Sequence, residues 1–161
     1  MRYVARGLGA GVMEQPKKLL MIDDDANLVE VFRLVCTAKG YEFHAAYSAT
    51  EGLKKILEVG PDLIILDVIM EDFVAGFRVL SELRTPGPGS QFTGYSKVPI
   101  VMLTSVTSRT HVNFNERIGT ALLPVDAFVE KPVQPADMLA ILEKILTRSQ
   151  QESPAGSSSS P

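Results

Sequence analysis

The stretch KKLLMIDDDANLVEVF, residues 17–32, decides the fold. An apolar run, Leu19, Leu20, Met21 and Ile22, stops at three consecutive aspartates, Asp23, Asp24 and Asp25. A short, unbroken apolar run reads as a strand buried on both faces, the kind found in parallel sheets. Directly after the acids, Leu28, Val31, Phe32, Val35 and Cys36 follow the i, i+3, i+4, i+7, i+8 spacing of one helix face. Three adjacent carboxylates repel one another, so something must compensate: a bound cation, a helix start, or both. Asp is a preferred N-cap residue, and Asp25 stands where the helix begins, so it reads as the cap. Asp23 and Asp24 are left for another task.

Outward from this stretch the same alternation continues. Gly40 stops the first helix. YEFHAAY (41–47) alternates weakly, as a strand. Ala49, Leu53, Ile56 and Leu57 mark a second helical face, ended at VGPD (59–62). LIILD (63–67) is a second buried run ending in an acid, and Phe77, Val79 and Leu80 suggest a third helix running to about Arg84. TPGPGSQFTGYSK (85–97) is a long turn-rich loop. VPIVMLTS (98–105) is a buried strand ending in hydroxyls, residues 106–124 have no clean period, and DAFVEKP (126–132) is a short strand ending at Lys131. Met138, Ile141, Leu142, Ile145 and Leu146 mark a last helix, with Pro135 suited to its first turn. Strands alternating with helices imply an α/β architecture: a parallel, doubly wound sheet with helices on both faces. In such sheets, sites form outside the carboxyl ends of the strands. The residues at those ends are Asp23, Asp24 and Asp25, then Asp67, then Thr104 and Ser105, then Lys131.

The chain has 161 residues, 45% hydrophobic and 22% charged, an ordinary globular mixture for one domain with tails. A net charge of −3 argues against direct nucleic-acid binding, and no Lys/Arg block suggests a membrane surface. No run of about 18 apolar residues is present to span a bilayer. The Gly-rich segment 1–16 lacks the apolar centre of a secretory signal and reads as a disordered tail, with Met13 a candidate start. Residues 149–161, rich in Ser, Pro and Gly, read as a second disordered tail, leaving 17–148 as the folded domain. The single cysteine, Cys36, cannot form an internal disulfide; this fits a reducing compartment, and a cytoplasmic location is expected.

Brought together, the strand ends make a dense acidic pocket. A hard divalent cation such as Mg²⁺, which prefers oxygen ligands, would offset the repulsion. A carboxylate in such a pocket can itself be a nucleophile, as in aspartyl-phosphate chemistry. Phosphoryl transfer needs positive charge and hydrogen-bond donors around the phosphoryl oxygens. The cation and Lys131 supply the charge, and Thr104 can donate.

The segments MIDDD, LIILDVIM, VMLTS and FVEKP, in this order and each at a strand end, resemble the receiver domain of two-component response regulators. The resemblance spans about residues 18–147. It implies a five-stranded parallel sheet of flavodoxin-like order 2-1-3-4-5. It also implies that Asp23 and Asp24 are the metal-binding pair and that Asp67 accepts the phosphoryl group and binds the metal. The main-chain carbonyl of Ile69 would be a further metal ligand, Thr104 the switch hydroxyl, Phe128 the rotating switch aromatic, and Lys131 the conserved-role lysine, followed by Pro132, whose peptide bond is often cis in the family. Such a module is not an enzyme beyond its own phosphorylation and dephosphorylation. Its donor is a sensor histidine kinase or phosphotransfer protein. With no further domain read after the last helix, the signal is expected to leave by protein–protein contact, by dimerisation or by phosphate relay. Ile69 and Val106, two past the acceptor and two past the switch hydroxyl, are apolar and poorly suited to orient water, so a long-lived phosphoaspartate is expected.

The chain departs from the family pattern in the segment DVIMEDFVAGF (67–77): the Pro after Met70 is missing, and Gly76 lies nine rather than eight residues past the acceptor. The loops at 85–97 and 106–124 are also long. Two other readings stand beside the leading one. A receiver-like scaffold that is never phosphorylated would keep the pocket but act by binding alone. A phosphatase of the haloacid-dehalogenase type would use Asp23 as nucleophile and Asp25 as acid/base, but after Lys131 the last helix offers only Asp137 and Glu143 to serve as its last acids. His44 and His111 have no partners at metal-ligand spacing and read as ordinary surface or half-buried residues, and Cys36 reads as core.

Overall fold

Strands form where apolar side chains are demanded on both faces. In the computed structural model, which describes residues 14–72, 74–105 and 124–152, β1 runs Lys18–Ile22, β2 Glu42–Ala46, β3 Leu63–Asp67, β4 Ile100–Thr104 and β5 Ala127–Glu130. All neighbouring strands pair parallel, in the order β2-β1-β3-β4-β5. Leu19 to Ile22 and Leu63 to Leu66 are fully buried, as unbroken apolar runs require.

The period of two along each strand divides the core into two layers. Leu20, Ile22, Ile64, Leu66, Ile100 and Met102 face one side, where they meet the buried faces of α2 (Ala49–Val59) and α3 (Ala75–Arg84). Leu19, Met21, Leu63, Ile65, Val101 and Leu103 face the other side, against α1 (Ala26–Ala38) and α4 (Pro135–Gln151). The expected doubly wound fold and strand order are therefore present. A short 3₁₀ turn, Thr93–Tyr95, lies in the loop before β4, and Phe92 beside it is anchored in the core.

Two expectations need correction. The buried face of α1 is Val29, Phe32 and Cys36, while Val31 is 44% exposed. Apolar residues at 28, 29, 31, 32, 34, 35 and 36 satisfy two helical phases, and at about 100° per residue Val31 lies roughly 160° from Val29. Leu28 and Val35 do pack at the edge of this layer. The last helix also continues to Gln151, three residues beyond the expected end of the folded domain, because Ser149 and Gln150 extend a helix that is already packed. The Ser149 hydroxyl donates to the Ile145 carbonyl at 3.1 Å, and Gln150 donates to Glu14 at 3.2 Å. The expectations for Met13, Val106, His111, most of 106–124 and the end of the Ser/Pro-rich segment lie outside the described residues. No helix among the described residues is long and apolar enough to cross a membrane.

Candidate functional site

The strand order turns back on itself between β1 and β3: from β1 the chain goes outward to β2, then returns to β3 on the other side of β1. That switch point opens a crevice at the carboxyl ends of the two strands. Ile22 pairs with Leu66, so the next residues, Asp23 and Asp67, arrive side by side. Both are buried, at 0% and 3% exposure. Asp24 is exposed, yet one carboxylate oxygen from each of Asp23, Asp24 and Asp67 lies within 4.8 Å of the others. Among the described residues this is the cluster that has the donors for a metal ion.

Asp25 behaves as its position suggested. Its side chain accepts from the amides of Asn27 and Leu28, both at 3.1 Å, and caps α1. Its own amide donates to Asp23 Oδ1 at 2.9 Å. The cap residue therefore also helps hold Asp23, and Asp25 itself is committed to the start of α1.

β4 and β5 bring the remaining groups. Asp67 pairs with Leu103, which places Thr104 one residue beyond, 3% exposed. The Lys131 amide donates to the Thr104 carbonyl at 2.7 Å, tying the ends of β4 and β5 together. The Lys131 ammonium then reaches across the sheet: Nζ is 2.8 Å from Asp23 Oδ2 and 3.4 Å from Asp67 Oδ2. The Lys131–Pro132 peptide bond is cis. Phe128 pairs with Met102 and packs half-buried against the α2/α3 layer.

The electrostatics follow from burial. Desolvation pushes the Asp67 carboxyl up to about 6, the neighbouring Asp23 charge adds to this, and Lys131 and the Ile69 amide oppose it. That amide donates to Asp67 Oδ1 at 3.3 Å. Burial also works against the Lys131 ammonium, but its hydrogen bond to Asp23 and the charges of Asp23 and Asp67 prevail and hold its pKa above the ordinary lysine value. Three carboxylates against one ammonium leave about two negative charges in the pocket when all are ionised. Hard oxygen donors in that number and charge fit Mg²⁺.

The structural roles of three residues were not read from the sequence. Gly76, in the first turn of α3, lies so close to the end of β3 that a Cβ there would be 2.2 Å from the Asp67 carbonyl oxygen and 2.8 Å from Val68 Cα. Its amide donates to the Val68 carbonyl at 3.1 Å. The one-residue displacement noted in the sequence thus preserves a close approach of α3 to β3. Glu71, where the family pattern has proline, accepts from the Ala49 amide at the start of α2. Arg84, 13% exposed at its side chain, donates to the carbonyls of Pro124, Ser96 and Val98 at 2.7–2.8 Å and ties the 85–97 loop to the chain entering β5. A lone glycine displacement, an acid replacing a proline, and an arginine at a helix end were the only sequence signals for these roles. His44 is half-buried and 2.7 Å from Glu42 on the edge strand, away from the site.

Comparison with known proteins agrees with this geometry. Residues 19–143 match the response regulator receiver domain family. The DNA-binding response regulator MtrA of Mycobacterium tuberculosis is 29% identical over 136 residues, which cover 84% of this chain and 53% of that protein; the chain thus spans about half the length of such curated relatives. Among solved structures, a CheY-like response regulator receiver domain protein from Methanospirillum hungatei superimposes with a TM-score of 0.68 at 26% identity, over 85% of this chain and 98% of the other. A putative response regulator from Chloroflexus aurantiacus gives 0.66 at 28% identity, over 83% and 99%. An acidic pocket with a lysine across it, at the switch point of a 2-1-3-4-5 parallel sheet, and a family match over most of its length place this chain in the response regulator receiver domain family.

Proposed function

We propose that this chain is a phosphorylation-controlled signalling module in which Asp67 accepts a phosphoryl group. The observation that carries this is the buried Asp67 carboxylate held beside Asp23 and Asp24, with the Lys131 ammonium 3.4 Å away. Asp23, Asp24, Asp67 and the Ile69 carbonyl are the ligands proposed for Mg²⁺. When bound, that ion supplies charge neutralisation for the carboxylates and the phosphoryl oxygens. An Asp67 oxygen attacks the phosphorus of a phosphohistidine on a sensor kinase or phosphotransfer protein. The N–P bond breaks, its electron pair stays on the imidazole, and the imidazole takes a proton from solvent. Lys131 pairs with the new phosphoryl oxygens, and Thr104, at the neighbouring strand end, donates to them. Its movement frees space for Phe128 to turn inward, changing the surface next to β5. Output through a protein partner or a second copy, in a cytoplasmic setting, completes the proposal.

The phosphatase reading loses support from Asp25, whose carboxylate is committed to capping α1 rather than poised over the pocket. Asp137 and Glu143 lie exposed on α4.

The test is intact mass after incubation with acetyl phosphate and Mg²⁺. Wild type should gain one phosphoryl group, with acetate leaving. Asp67→Ala, or wild type without Mg²⁺, should gain none. A wild type that binds Mg²⁺ but gains no mass would establish a binding-only scaffold instead.

A further inference from the structure

The turn between β3 and α3 carries the proposed Ile69 ligand, and it is held by a side-chain hydrogen bond where the family pattern has proline. Glu71 accepts from the Ala49 amide through Oε1 at 3.0 Å and Oε2 at 3.3 Å. Ala49 is the first residue of α2, and its amide is one of the donors a helix leaves unmatched at its start. An anionic acceptor there also suits the helix dipole. Arg78 on α3 backs the arrangement: Nη2 lies 3.4 Å from Glu71 Oε1, and Nη1 donates to Asp72 Oδ2 at 2.5 Å. Asp72 in turn accepts from the Val74 amide at 2.9 Å and closes the turn. The neighbouring Met70 is 8% exposed, so the turn is pinned in the core on one side of Glu71 and to α2 at Glu71 itself.

We propose that Glu71 is a positioning residue for the metal step: by binding the Ala49 amide it fixes the β3–α3 turn, and with it the Ile69 carbonyl, against the first turn of α2. This rests on the reading of Ile69 and the aspartates as Mg²⁺ ligands. Glu71 does not touch the metal. It sets one ligand's place, as outer-shell partners do. The ion pair to Arg78 is exposed and screened by salt, so the hydrogen bond to Ala49 carries most of the effect.

The test is calorimetric titration of the unphosphorylated full chain with MgCl₂, alongside acetyl phosphate labelling at saturating Mg²⁺. Glu71→Ala should weaken Mg²⁺ binding by roughly tenfold, the low end for loss of an outer-shell partner. Glu71→Gln keeps an acceptor for the Ala49 amide without the charge and should stay within about twofold of wild type. Ala49→Pro removes the donor and alters no charge. Proline suits the first helical position, and Ser48 before it is already extended at φ −153°, ψ 164°. This variant should match Glu71→Ala, and the double variant should be no weaker than either. Labelling at saturating Mg²⁺ should stay close to wild type in all of them. Glu71→Gln as weak as Glu71→Ala would show a bare charge effect and overturn the proposal. So would Glu71→Ala binding like wild type in a chain that is still phosphorylated. A wild type that takes no phosphoryl group would instead sink the functional reading, and this proposal with it. If Ala49→Pro fails to fold, the Glu71 pair decides alone.

Discussion

Burial of Asp67 beside Asp23 makes a definite prediction about pH. The carboxyl moves from its ordinary 3.8 to about 6 in the fold, chiefly through desolvation. A folded pKa above the unfolded one means that the native state binds more protons between the two values, so stability falls as pH rises through that window. The cost is absent below the unfolded value and fully present above about 6. A shift of this size corresponds to about 3 kcal/mol at the limit. Between pH 5 and pH 7 the linkage relation leaves about 1 kcal/mol, because much of the window lies lower, between the unfolded value and pH 5. The assay is urea unfolding with a chelator present, at both pH values, for wild type and Asp67→Asn. The asparagine keeps the shape without the charge. Wild type should lose about 1 kcal/mol more than the variant between pH 5 and pH 7, and the variant should be the more stable of the two at pH 7. Adding Mg²⁺ should cancel the difference, since the metal favours the ionised carboxylate. An identical pH dependence in both proteins, without Mg²⁺, would refute the assignment of the strain to Asp67.

Other outcomes follow from single residues. Gly76→Ala drives a Cβ into the Asp67 carbonyl and should destabilise by about 1–3 kcal/mol or more while lowering acetyl phosphate labelling; unchanged urea unfolding would show that α3 can move away at no cost. Asp25→Ala removes the α1 cap and should cost about 1 kcal/mol, yet leave Mg²⁺ stoichiometry intact; loss of metal binding with normal stability would make Asp25 a ligand. Because the residues two past the acceptor and two past the switch hydroxyl in the sequence, Ile69 and Val106, are apolar, phosphorylated chain should persist for minutes or longer when followed by intact mass, and loss within seconds counts against that reading.

The strands were the most legible part of the fold, for a physical reason. Runs such as Leu63 to Leu66 are buried on both faces, so their sequence admits no other reading, and β3 falls where LIILD predicts. The site followed from the strands, because a parallel sheet gathers their carboxyl ends. Asp23, Asp24 and Asp67 meet within 4.8 Å, with Lys131 beside them, although Asp23 and Lys131 are separated by 108 residues. The helices were less constrained. Seven apolar residues along 28–36 leave the phase of α1 to be settled by packing, and Val31 turned outward. Glu71 and Arg84 were illegible for a different reason. Each works through backbone groups far along the chain, Ala49 in one case and Pro124 in the other, and backbone partners leave no trace in side-chain pattern.

Lys131 explains how so acidic a pocket can exist without a metal, and why the proposed Mg²⁺ would still find a role there. Removing one partner of a buried ion pair costs several kcal/mol, and Asp23, at 0% exposure, has Lys131 Nζ at 2.8 Å as that partner. The same ammonium stands 3.4 Å from Asp67, too far to serve both acids equally. Asp67 is therefore the less compensated of the two acids, and Lys131 does not offset the rise in its pKa that desolvation causes. On the proposed function, a phosphoryl group on Asp67 would reverse that balance. It would replace one charge by nearly two and compete with Asp23 for the ammonium. The Lys131 amide is bonded to the Thr104 carbonyl, so a shift of that side chain is felt where β4 and β5 end, beside the strand that carries Phe128. The residue that makes the resting pocket tolerable is thus placed to report that the pocket has been filled.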